Sequence, residues 1–121
     1  MIVKPTRFSD SVTQLKPCQI VSLNYQNTCL YSEVIQVITS RRLCWVRPLL
    51  LFSQPTQIVD LRGTSDLLWP LPLFQPALDT EIIPLLSQLP EPNFVVENPE
   101  APPQLRKFIH QVWQAHRDIF N

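Results

Sequence analysis

The chain has 121 residues, 45 % of them hydrophobic and 17 % charged, with ten basic and ten acidic side chains. That balance excludes disorder along the whole length and fits one domain. A zero net charge argues against bulk electrostatic capture of nucleic acid or an anionic membrane, and one glycine among 13 prolines excludes glycine-rich phosphate loops.

The N-terminus has no apolar run of signal-peptide length, and runs such as Leu49–Phe52 are far too short to cross a bilayer. Three widely spaced cysteines (Cys18, Cys29, Cys44) with no CxxC pair fit a reducing, cytoplasmic setting. They are expected as small buried apolar residues in strands.

In chain order, residues 8–15 predict a short helical turn with Phe8, Val12 and Leu15 on one face, ended at Lys16-Pro17. Four strands follow: Cys18–Tyr25, Thr28–Thr39, Leu43–Phe52 and Gln57–Leu61. The second is partly apolar on both faces, as a covered sheet requires. Pro48 predicts an edge segment or a bulge in the third, because proline cannot donate to a ladder. Short turns between the four make an antiparallel meander, and a small SH3-like barrel is the expected closure of this core, residues 18–62. Gly63 predicts a turn with positive φ.

Residues 66–89 change character. Pro70, Pro72 and Pro76 exclude a regular helix or a central strand over 66–78, which reads as an extended apolar strap. Asp79-Thr80 predicts the cap of a short helix through Gln88, in which Pro84 is awkward unless the regular part starts only there. Residues 90–103 read as a stiff, acidic, proline-rich connector, with Phe94–Val96 able to add one strand. Leu105, Phe108, Ile109, Val112, Trp113 and His116 fall at helical spacing and predict a C-terminal helix over 104–120. The expected fold is thus a single α+β domain. Its halves differ in charge: residues 1–62 hold seven bases and three acids, residues 63–121 three bases and seven acids.

Chemistry is sparse. His110 and His116, six apart, point away from each other on a helix, so no metal site is expected. No nucleophile motif stands out, and the acid–base candidates Glu33, Asp60 and Asp66 read better as turn and ion-pair residues. The chain is therefore expected to be no enzyme and to need no cofactor. The strap and the C-terminal helix offer more apolar surface than a meander obviously covers. Protein binding follows, with Trp69, Leu73 and Phe74 as buried anchors and Arg47 and Arg62 orienting polar or acidic groups. The alternative is a small-barrel binder of RNA or single strands, with Tyr31 and Trp45 stacking beside Arg41 and Arg42. Trp45 sits between Cys44 and Val46 and could equally be core.

The phrases Gln19-Ile20-Val21, Tyr31–Val37, Cys44–Leu49, Asp60-Leu61-Arg62 and Ala77–Glu81 resemble a family of short cyanobacterial proteins without enzymatic signature. Within it they are most similar to the small assembly chaperones of β-carboxysomes, which bind a shell protein through its C-terminal extension. The resemblance covers roughly residues 8–90. It implies a cytosolic assembly factor whose partner is a shell-protein tail. It carries over no particular binding residue.

Overall fold

The computed structural model describes residues 15–90 and 99–120. The expected turn at 8–15, apart from Leu15, and the expected strand at Phe94–Val96 lie outside these residues. The fold is α+β. Strands β1 (Ile20–Tyr25), β2 (Thr28–Ile38), β3 (Leu43–Ser53) and β4 (Gln57–Asp60) form the expected antiparallel meander. Two further strands extend it to six. β5 (Leu67–Pro70) pairs with β3, and β6 (Gln75–Pro76) pairs with β1.

The segment read as a strap is these two short strands around a 3-10 turn at Leu71–Leu73. Pro70 and Pro76 each end an edge strand, where a missing N–H costs no ladder bond. The chain thereby passes from the β3 edge to the β1 edge. The hydrogen-bonded path runs β4-β3-β2-β1-β6 and stays open, so the sheet is not closed into a barrel.

The β2–β3 ladder carries two bulges. Tyr31 pairs with Leu50 and Ser32 with Pro48, which leaves Leu49 as an extra residue in β3. Val34 pairs with Val46 and Gln36 with Trp45, which leaves Ile35 extra in β2. Each extra residue reverses the in–out alternation of its strand. That is why Cys44, Val46 and Leu51 share one core although their numbers change parity, and why Leu30 and Val34 share it with Val37. Both alternatives read from Pro48 hold. It borders the bulge, and it lies in the gap between the β5 partners (Leu43–Val46) and the β4 partners (Leu50–Ser53) of β3.

Both faces of the sheet are covered, but unequally. The inner face packs Val21, Leu23, Leu30, Val46, Leu51 and Phe74 against helix α2 (Ala101–Ala115). That helix buries Ala101, Leu105, Phe108 and Val112, one stripe at helical spacing. Pro102 and Pro103 occupy its first turn, where no N–H partner is needed. The C-terminal helix starts three residues earlier than expected and breaks at His116 (φ −127°, ψ 36°) before α3 (Arg117–Phe120).

The outer face is capped at one end by helix α1 (Asp79–Leu86), whose Ile82 packs with Cys29, Tyr31 and Leu50. The expected cap on Asp79-Thr80 is replaced by Glu81, whose Oε1 accepts the Leu78 N–H at 2.7 Å. The helix runs through Pro84 instead of starting there, at the cost of one backbone bond. Gly63 has φ 95° with nothing within 4 Å of where a Cβ would sit, so conformation alone selects it.

Candidate functional site

The two faces decide the fate of the sequence-derived anchors. Phe74 is 0 % exposed, and Trp69 and Leu73 are 9 % exposed; all three belong to the inner core. They are spent on this chain's own core and offer a partner little or no surface, which argues against their assignment as partner-binding anchors. In β5, Trp69 points in and Leu68 points out. Arg62 is likewise occupied. Its Nε and Nη2 donate to the two carboxylate oxygens of Asp60 at 3.0 and 2.9 Å, and Nη2 also donates to the Pro90 carbonyl at 2.8 Å. Burial pushes the Asp60 carboxyl up, but the bonds and charge of Arg62 outweigh it and hold it below the ordinary value.

The nucleic-acid set is divided in the same way. Tyr31 is buried under α1, and its hydroxyl donates to Glu81 Oε2 at 2.8 Å. Burial and that bond hold the phenol protonated far above its usual range. Tyr31 therefore cannot stack on a base. Trp45 is the reverse case. Cys44 and Val46 are fully buried, so strand alternation places Trp45 on the outer face, 37 % exposed.

Trp45 is the centre of a bare apolar strip at the end of the outer face that α1 does not reach. It pairs with Gln36 of β2 on one side and Leu68 of β5 on the other, and Leu68 is 52 % exposed. Asp66 fixes the strip. Its carboxylate accepts Trp45 Nε1–H at 3.0 Å and Arg47 Nε–H at 3.2 Å. The bonds from Arg47, then from Trp45, hold that carboxyl below its ordinary value. Arg47 is thus neutralised by the same carboxylate that holds the indole.

Leu68 also lines a groove of about 400 Å³ between the β2–β3 tip and the end of β5. Leu43, Pro70, Pro72 and Ile119 supply its apolar walls, and Arg41 and Arg42 stand at its polar side. The groove is braced by Leu71 N–H, which donates to the Arg42 carbonyl at 2.8 Å. Arg41 and Arg42 are exposed and make no ion pair among the described residues. Arg42 holds φ 55°, a left-handed conformation unusual for a non-glycine residue. The sequence contained part of the signal for this site: Trp45 is the outward member of a strand whose neighbours Cys44 and Val46 are core.

The other chemistry is quiet. Cys29 and Cys44 are buried in strands as expected, and burial pushes both thiols up to about 11. They are held as thiols, not as nucleophilic thiolates. Cys18 departs from expectation: it is exposed, with φ 73°, just before β1. Among the described residues no group of three or more metal-ligating side chains assembles, and no helix is long and apolar enough to cross a membrane. Compared with known protein families, curated proteins and solved structures, the chain matches none.

Proposed function

We propose that the chain is a non-catalytic protein-binding assembly factor or adaptor, which captures an extended or C-terminal segment of a partner on the bare end of its outer face. The observation that carries this reading is the clamped Trp45–Leu68 strip running into a groove with two arginines that make no ion pair among the described residues. Apolar side chains of the segment cover Trp45, Leu68 and Ile119, and an acidic side chain or terminal carboxylate meets Arg41 and Arg42. The left-handed Arg42 supports the same reading. Such a residue costs roughly 1–2 kcal/mol more there than glycine, a cost that a needed guanidinium explains. The 3-10 turn that carries the chain from the β3 edge to the β1 edge supports reading the sheet as curled toward an SH3-like barrel. The resemblance to β-carboxysome assembly chaperones makes a shell protein's C-terminal tail the first partner to try, in a cytoplasmic setting. No cofactor or metal enters this function.

Fluorescence anisotropy tests it with a labelled shell-protein tail peptide, prepared once with a free carboxylate and once amidated. Trp45→Ala and Leu68→Ala are expected to weaken binding by about tenfold or more each, while circular dichroism stays unchanged. Amidation and Arg42→Ala are expected to weaken it together, without adding to one another. Undiminished binding in both apolar variants would end the proposal. Single-stranded RNA bound through Trp45, Arg41 and Arg42, and released steeply by salt, would favour the nucleic-acid alternative instead.

A further inference from the structure

A second concavity, independent of the arginine groove, lies between α2 and the ends of the strands. Its volume is about 470 Å³, inside the ~300–1,000 Å³ span usual for small-molecule sites. Six carboxamides line it. Gln26 and Asn27 form the β1–β2 turn, Gln54 and Gln57 flank the β3–β4 turn, and Gln104 and Gln111 lie two turns apart on α2. Among the described residues no carboxylate lines the cleft, and Lys107 is the one cation there. Leu51, Val59 and Phe108 give it an apolar floor, and half-buried Tyr25 adds an aromatic ring.

These amides are unspent. Among the described residues, the side chains of Asn27, Gln54, Gln57, Gln104 and Gln111 hydrogen-bond to no other residue, and Gln26 makes only a long 3.5 Å contact to the Tyr25 hydroxyl. The Thr28 and Ser53 hydroxyls, 3.3 Å apart, add two more groups that both donate and accept. Each carboxamide offers two donor hydrogens and an acceptor oxygen. The lining therefore matches a ligand that also donates and accepts at every polar position. A lining with one ammonium and no carboxylate suits neither a polyanion nor a cation. The apolar floor and the Tyr25 ring suit a C–H-rich face.

We propose that this cleft binds a neutral polyhydroxylated ligand, a short saccharide. The vicinal hydroxyls meet the amides of Gln57, Gln104 and Gln111, and the ring's C–H face meets the apolar floor.

Nitrogen–proton correlation NMR of the whole chain reads the site directly through the glutamine side-chain NH₂ signals. The probes are maltotriose, cellobiose and sucrose, with inorganic phosphate as a separate arm. The expected result is a saturable shift of the Gln57, Gln104 and Gln111 side-chain signals with at least one saccharide. The double change Gln57→Leu with Gln111→Leu should weaken it by about tenfold, the loss of one or two net hydrogen bonds. Lys107→Ala should leave saccharide binding unchanged. The absence of any saturable shift at tens of millimolar saccharide overturns the proposal. So does a response to phosphate alone that Lys107→Ala abolishes. Both readings are made on the unsubstituted protein first, so a variant that fails to fold does not decide the matter.

Discussion

At one end of the outer face, Tyr31 and Leu50 lie under α1; at the other, Trp45 and Leu68 lie bare. Trp45 and Leu50 occupy the same face of β3, since the Leu49 bulge between them resets the alternation. Residue type does not distinguish the ends, because both carry an aromatic beside an aliphatic. What distinguishes them is whether a helix arrives. Under α1 the apolar area is removed from water within the chain and contributes to folding; beyond α1 it is kept in place by Asp66 and left uncovered.

Substitutions on each side should break this contrast if it is wrong. The largest effect is expected in the core beneath, where Phe74→Ala should cost about 3–5 kcal/mol in urea unfolding. Near-normal stability there would return Phe74 to the set of binding anchors. Leu50→Ala, under the helix, should cost about 2–4 kcal/mol, whereas Leu68→Ala at the bare end should stay within ~0.5 kcal/mol. Equal costs would mean that the bare strip is covered in solution. Tyr31→Phe removes the hydroxyl that ties β2 to Glu81 of α1 and should cost about 1 kcal/mol, again by urea unfolding.

The smallest effect is electrostatic. Asp60 and Asp66 are held below the ordinary carboxylate value of 3.8. Their contributions are complete above that value and are lost as pH falls through the lower folded values. An acid series of unfolding midpoints should therefore fall progressively as pH drops past 3.8. Asp60→Asn should flatten the drop more than Asp66→Asn, because the Arg62 pair is less exposed than the Arg47 pair.

Much of the sheet was legible from sequence because hydrophobic alternation and turn chemistry act locally. All four meander strands fall within two residues of their expected bounds. β5 and β6 were missed because three prolines argue against a central strand, and both are edge strands. That miss propagated to the site. Without a strand there is no alternation to separate Leu68 from Trp69, so anchors were chosen by residue type, and the inward tryptophan displaced the outward leucine. Trp45 was readable in principle, since Cys44 and Val46 inside require it outside. The arginine groove was not, because Ile119 of α3 reaches Leu68 and Pro72 only through the tertiary fold.

The two bulges have a consequence for how the sheet could be altered. Ile35 and Leu49 sit on facing strands, so the shift that one introduces the other undoes, and the pairs outside them keep a common register. Excising both would leave Leu30, Val34 and Val37 on one side of β2, and Cys44, Val46 and Leu51 on one side of β3, in unbroken alternation. Excising either alone would restore unbroken alternation in its own strand and leave the paired residues of the other as they are. The two residues are therefore spare with respect to the hydrophobic code. What they supply is curvature, carried as two insertions that can be gained or lost one at a time.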